Sequence, residues 1–213
     1  MSNYFKIEGY CSTSQITQWG QELGLLPTFN SDETKKFEAF RIGTLFDIME
    51  TEPHRIDRLN GTIIGTDYSF TPEELKTWIR KQKHLYSQDF YKRILSFNPE
   101  FQKEIFEDNF TLDGIFKVKF KGKLDLYLPD WVIDLKTTTA TTQESFEYVC
   151  NSFGYFRQMI FYMALTGSKH SKLIGVCKSK DRVFEVNFDS SHKLYEENLN
   201  MCKLLLQKWC IIN

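Results

Sequence analysis

Two alternating runs, Lys123-Leu124-Asp125-Leu126-Tyr127-Leu128 and Trp131-Val132-Ile133-Asp134-Leu135-Lys136, are separated only by Pro129-Asp130. Side chains along a strand point alternately to its two faces, so each run reads as a strand and the pair as a hairpin. The alternation predicts Leu124, Leu126 and Leu128 on one face of the first strand and Ile133 and Leu135 on one face of the second. The charged residues share the other face. If Pro129 and Asp130 form the two-residue turn, Asp125 falls directly across from Asp134, with Lys136 two residues along the same face. Proline at the first turn position suits a type I or II turn better than the mirror-image turns of tight hairpins, so this register is approximate and a slip or bulge is compatible with it.

Two carboxylates facing each other across a strand pair repel, which a fold avoids unless something cationic sits between them. A hard divalent cation fits that description. Mg2+ needs only one or two carboxylates, the rest of its shell being water and substrate phosphate oxygens. The ammonium of Lys136 would then orient or deprotonate a metal-polarised water for attack on phosphorus. An isolated D-x-K match is more often an Asp–Lys pair on a solvated sheet face, so the surrounding chain has to decide.

Asp125 followed by Asp134-Leu135-Lys136-Thr137-Thr138 resembles the D...(D/E)-x-K core of the PD-(D/E)xK nuclease superfamily. Within it, the chain looks most like the RecB-like and phage-type exonuclease branch. In that branch an upstream helix adds an acid or a His to the metal and a downstream helix carries a Q-x-x-x-Y element. Here Gly43-Thr44-Leu45-Phe46-Asp47 stands upstream and Tyr155-Phe156-Arg157-Gln158-Met159-Ile160-Phe161-Tyr162 downstream. The three motifs occur in family order. Asp47 stands where RecB-like enzymes commonly have His, and Asp134 replaces the commoner Glu.

The resemblance implies a restriction-endonuclease-like α/β fold, a central mixed β-sheet flanked by helices. It also implies a Mg2+-dependent DNA exonuclease acting on linear duplex DNA in phage-type recombination, repair or end processing, with Mn2+ able to substitute. Asp125, Asp134 and the Leu135 carbonyl are the implied metal ligands, with Asp47 as an auxiliary one. Lys136 is implied to handle the water, and Gln158 and Tyr162 to edge the site. Partners implied are a duplex DNA end, a homo-oligomer (processive relatives form rings) and a single-strand annealing protein. A restriction-type endonuclease and a catalytically silent DNA- or protein-binding module of the same fold are the alternatives. Some RecB-like relatives hold an iron-sulfur cluster near the C-terminus; with only Cys202 and Cys210 there, no iron-sulfur cluster is expected.

The 213 residues are 41% hydrophobic and 15% aromatic, enough to bury one sizeable core, so positions 1–213 read as a single nuclease domain. A net charge of -1 gives no global pull toward nucleic acid, so contacts to DNA must come from local patches. Cys11, Cys150, Cys177, Cys202 and Cys210 are scattered without a C-x-x-C pair, which suits reduced thiols in a cytoplasmic setting. Met1 to Cys11 lacks the basic and apolar regions of a signal peptide, and no apolar run is long enough to span a bilayer. His54, His84, His170 and His192 form no ligand spacing.

Local signals predict helices over Ser12–Leu23, from Ser31 or Asp32 to Glu50, from Thr71-Pro72-Glu73-Glu74 toward Tyr86, and over Asp89–Ser96. Strands are expected from about Glu104 through Ile133 and beyond. The Thr141-x-x-Glu144 capping box then opens a helix, interrupted near Gly154 and ending before Gly167. Leu173–Cys177 and Arg182–Phe188 read as strands and Ser190–Trp209 as a closing amphipathic helix.

Gly43 and Asp47, four apart, share a helix face, so close approach at Gly43 would aim Asp47 at whatever packs there. Tyr155, Gln158 and Tyr162 form a polar-aromatic stripe, while Phe156, Ile160 and Met163 form a face to bury. Arg157 is a candidate contact to DNA backbone. Lys117, Lys119, Lys121 and Lys123 alternate into the hairpin, either as a phosphate-tracking row or as edge-strand protection. Arg80, Lys81, Lys83, Lys92 and Arg93 read as a solvated basic face.

Overall fold

The computed structural model describes residue 4, residues 7–28 and residues 32–212. A two-residue strand β1 (Cys11–Ser12) leads into α1 (Thr13–Glu22), where the Ser12 side chain accepts the amide of Gln15. The long helix α2 (Glu33–Thr51) is capped by Asp32, whose carboxylate accepts the amide of Thr34. Ser31, the other expected start, lies outside the described residues. A small hairpin of β2 (Ile56–Asp57) and β3 (Thr62–Ile63) follows, then α3 (Pro72–Ser87) and α4 (Asp89–Ser96). The Thr71–Glu74 capping box opens α3 as its sequence predicts.

The main sheet contains β4 (Glu100–Phe110), β5 (Val118–Leu128), β6 (Trp131–Thr138), β7 (His170–Cys177) and β8 (Val183–Phe188) together with β1. Between β6 and β7 lie α5 (Gln143–Ser152) and α6 (Tyr155–Thr166), and α7 (Tyr195–Ile212) closes the chain. β4, β5 and β6 form an antiparallel meander; β7 joins β6 in parallel and β8 joins β7 antiparallel, which makes the sheet mixed. Helices cover both faces. One core joins the sheet to α1, α5, α6 and α7 through residues such as Phe120, Phe146, Phe161 and Leu205. The other joins it to α2, α3 and α4 through Phe46, Trp78, Leu85 and Ile133. Among the described residues no helix is long and apolar enough to cross a membrane.

β4 lines one edge of β5 almost end to end. The other edge is shared. β1 pairs in parallel with Phe120 and Lys121, whereas β6 pairs only through Leu126↔Ile133, Tyr127↔Val132 and Leu128↔Trp131. The sheet therefore forks at Asp125, and β6 leaves to run beside β7 over its whole length. The register next to the turn is the expected one, but the ladder ends before the expected pairing of Asp125 with Asp134; Asp130 has φ 68°, the positive value that the second central residue of a type II turn requires.

Four expectations change. Leu124 does not share a face with Leu126 and Leu128: it packs in the core with α6, they pack in the core with α2, so alternation breaks at Asp125. The capping box of α5 is Thr142 with Ser145: the Ser145 hydroxyl accepts the Thr142 amide, and the Ser145 amide donates to Thr142 Oγ1. Lys81 is not solvated: it is 2% exposed and its ammonium donates to the carbonyls of Cys177 (2.6 Å) and Lys180 (2.9 Å) at the end of β7. The expected start of the last helix at Ser190 is taken by a turn in which Asp189 accepts the amide and hydroxyl of Ser191, and α7 begins at Tyr195.

Candidate active site

The fork at Asp125 exposes a gap in the sheet through which both helical layers reach. Where a continued ladder would give β6 a carbonyl acceptor, the amide of Leu135 instead donates to Asp125 Oδ2 at 2.7 Å. Asp134, 2% exposed, points toward α6, where Gln158 Nε2 donates to its Oδ1 at 3.0 Å and to the Tyr162 hydroxyl at 3.1 Å. Lys136 Nζ lies 2.6 Å from Asp134 Oδ2 and 4.7 Å from the centroid of the Tyr155 ring. Tyr155, Gln158 and Tyr162 thus present one stripe to the site, while Phe156, Ile160 and Met163 are buried. From the opposite layer α2 brings Asp47, whose Oδ1 accepts from Gln102 Nε2 at 3.1 Å.

Gly43 is not needed for this approach, since a Cβ there would meet only Thr137 Oγ1, at 3.9 Å. The helix is instead seated by Ile42, Leu45, Phe46 and Met49, all in the core it shares with the sheet.

The electrostatics are those of anions crowded in a dry place. Burial raises the pKa of Asp125 well above the ordinary carboxylate range, and repulsion from Asp134 and Asp47 adds to it. Burial also raises Asp134, against the opposing pull of Lys136. Asp47 is pushed up to about 6, first by burial and then by Asp134, while Lys136 and Lys123 work the other way. Burial pulls the Lys136 ammonium down, but the charges of Asp134 and Asp125 outweigh it and hold its pKa above the usual lysine value. Among the described residues Lys136 faces three carboxyls, with Lys123 drawn off to Glu52, which leaves the cluster short of positive charge.

A divalent cation fits this deficit. Among the described residues no three His, Cys, Asp or Glu side chains converge into a ready cage. Two hard carboxylates and a backbone carbonyl beside open coordination positions are the donor set that Mg2+ or Mn2+ accepts, the remainder being water and substrate oxygens. Asp134 Oδ2 is buried with the Lys136 ammonium at 2.6 Å as its partner, and a carboxylate oxygen with one such contact keeps a lone pair for a cation.

The lysine row does not survive as a single surface. Lys121 is 6% exposed, and its ammonium donates to the carbonyls of Tyr4 and Ile7 at 2.9 and 2.8 Å, which corrects its expected place among phosphate contacts. Lys123 turns inward, 3.6 Å from Glu52 Oε2. Lys117 and Lys119 stay exposed, Lys119 beside Asp108. Arg157 faces α7 and not the site: burial lowers its pKa against the pull of Cys202 and Glu197, and its Nε is buried without a hydrogen bond. Sequence reasoning missed Gln102 and Glu50. Glu50, one turn beyond Asp47 on α2, is buried, accepts from the Tyr91 hydroxyl at 3.0 Å and has a pKa pushed up to about 7 by burial. Its spacing from Asp47 was visible; the pocket of Gln82, Tyr86 and Tyr91 around it was not.

Solved structures with a similar chain course share little sequence. They include a phage related exonuclease from Haemophilus somnus 129PT, at 14% identity over 97% of this chain and 90% of that one, with a TM-score of 0.40. An alkaline exonuclease (LHK-Exo) from Laribacter hongkongensis is 14% identical over 96% of this chain and 90% of its own, with a TM-score of 0.37. The crystal structure of SSO0001 is 17% identical over 64% and 67%, with a TM-score of 0.38. No curated protein matches the chain. Residues 27–179, which run from the segment before α2 through the fork to the end of β7 and hold Asp47, Asp125, Asp134, Lys136 and Gln158, match the family described as a PDDEXK-like domain of unknown function (DUF3799), and the chain belongs to that nuclease-type family.

Proposed function

We propose that the chain is a Mg2+-dependent deoxyribonuclease that hydrolyses phosphodiester bonds from the ends of linear duplex DNA, its 213 residues acting as one nuclease domain. The observation that carries this reading is the forked strand pair: half-buried Asp125 and buried Asp134 stand at its mouth, with the Lys136 ammonium 2.6 Å from Asp134 Oδ2.

In this reading Asp125, Asp134 and the Leu135 carbonyl hold the cation, and Asp47 assists from α2. The bound cation polarises the scissile phosphate and offsets charge developing in the transition state. Lys136 is held as an ammonium by Asp134 and Asp125, so in the metal-free site it donates and orients; it does not accept a proton. Gln158 fixes Asp134 by bonding Oδ1, which turns Oδ2 toward Lys136 and the cation. Lys117 and Lys119, exposed at the start of β5, supply phosphate contacts. A chain of net charge -1 is poorly suited to holding internal duplex by charge alone, which favours capture of an end, by a single chain or by a ring of copies.

The experiment compares end-labelled linear duplex with covalently closed circular DNA, each with Mg2+, Mn2+ or EDTA. Progressive loss of linear DNA with divalent metal only, and intact circles, is the expected result. Linearisation of circles at a comparable rate replaces the exonuclease reading with the restriction-type endonuclease. Cleavage that persists in EDTA removes the metal.

A further inference from the structure

Gln102 has φ 51° at the third position of β4, a left-handed conformation that a residue with a Cβ rarely adopts and that costs on the order of 1 kcal/mol. It is not at a turn: Phe101 pairs with Leu126 and Lys103 with Leu124, so Gln102 lies opposite Asp125 inside a ladder whose register is the same before and after it. Both strands therefore kink at one rung. On β5 the kink moves the even-numbered side chains from the α6 core (Leu124) to the α2 core (Leu126). On β4 it turns the Gln102 side chain to Asp47, where Nε2 donates to Oδ1 at 3.1 Å.

Neither glycine nor asparagine, the residues that tolerate this backbone most easily, stands at the position. What the glutamine adds over glycine is its amide, and the described bond of that amide goes to Asp47. We propose that Gln102 is a positioning residue for the metal site: by holding Oδ1 of Asp47 from the rung that also carries Asp125, it turns Oδ2 toward the Asp125–Asp134 pair. This inference rests on the nuclease reading of the site. It explains why strain is kept at a rung where glycine would relieve it.

The test uses Gln102→Gly, which keeps the backbone conformation and removes the amide, together with Gln102→Asn, which tolerates positive φ but is one methylene too short to reach. Mn2+ binding is followed by the paramagnetic resonance signal of the free ion, and thermal unfolding in EDTA is recorded alongside. Gln102→Gly is expected to bind Mn2+ about tenfold more weakly while its melting temperature is unchanged or higher, and Gln102→Asn to show the same loss of affinity. In an Asp47→Asn background, Gln102→Gly is expected to change Mn2+ affinity by less than about twofold, because the residue acts through Asp47. Wild-type affinity in both Gln102 variants overturns the proposal, as does an undiminished loss in the Asp47→Asn background. If the wild-type protein binds Mn2+ and cuts DNA while these variants bind normally, only the role of Gln102 falls. If the wild type binds no Mn2+, the nuclease reading falls and takes this inference with it.

Discussion

Asp125 accepts the main-chain amide of Leu135 at 2.7 Å, so one side chain both closes the sheet at the fork and places a carboxylate in the site. The two roles separate by mutation. Asp125→Asn keeps an oxygen for the Leu135 amide and removes a buried charge, so the metal-free protein should be as heat-stable as wild type or more so, while Mn2+ affinity falls by an order of magnitude or more. Asp125→Ala leaves the amide unsatisfied and should be less stable than Asp125→Asn by about 1–3 kcal/mol. Thermal melts in EDTA compare the two, and a stable Asp125→Ala would show that the bond does not hold the fork.

Lys136 is the one ammonium against Asp134 and Asp125. Lys136→Ala strands the Asp134 charge, and the EDTA form should lose about 2–4 kcal/mol at neutral pH. Mn2+ affinity should be unchanged or tighter, because the competing cation is gone. DNA hydrolysis should fall by about 10²–10³-fold, the usual range for losing one charged donor that orients the attacking water and faces developing charge. Turnover like that of wild type would take Lys136 out of the chemistry.

The hairpin was legible in the sequence because two local signals agreed, alternation on either side of Pro129-Asp130 and a turn pair that fixes the register Leu126↔Ile133. Helix starts at Thr71 and Asp32 were legible for the same kind of reason, a cap and a periodic run in one place. The stripe of Tyr155, Gln158 and Tyr162 followed from helical spacing alone. What could not be read was whatever depends on contacts distant along the chain. The face switch at Asp125 arises only when β4 kinks with β5, and nothing in Phe101-Gln102-Lys103 departs from a regular strand. Lys81 and Lys121 have the composition of surface lysines, yet each ends in backbone carbonyls of a segment far away in sequence, Cys177 and Lys180 for one, Tyr4 and Ile7 for the other.

Glu50 gives a pH signature separable from the metal. Its pKa in the folded protein is pushed up to about 7 by burial, above the ordinary glutamate value. A raised carboxyl contributes stability that is fully present below the unfolded pKa and is lost as pH rises through the folded one, here between about 4.5 and 7. Glu50→Gln removes that loss. The variant should match wild type near pH 4 and exceed it near pH 8 by up to about 3 kcal/mol, read by denaturant unfolding at both. A variant less stable than wild type at the higher pH would mean that the ionised carboxylate is wanted where it sits.

Gln158 and Tyr162 make different predictions although they touch. The Gln158 amide bonds Asp134 Oδ1 directly at 3.0 Å, whereas the Tyr162 hydroxyl meets only the other hydrogen of that amide, at 3.1 Å. The ring of Tyr162 has a separate task, covering Gly122 on β5, where even a Cβ would lie 3.2 Å from it. Tyr162→Phe keeps the ring and leaves Gln158 on Asp134, so hydrolysis in single turnover should change by less than about threefold. Gln158→Ala frees Asp134 Oδ1 and lets the carboxylate rotate out of the orientation that holds Oδ2 on the site, so hydrolysis should fall by about 10–100-fold with Mn2+ affinity reduced in parallel. If Tyr162→Phe is the more damaging of the two, the hydroxyl acts on substrate or its water directly, and Gln158 serves to hold the tyrosine instead of the aspartate.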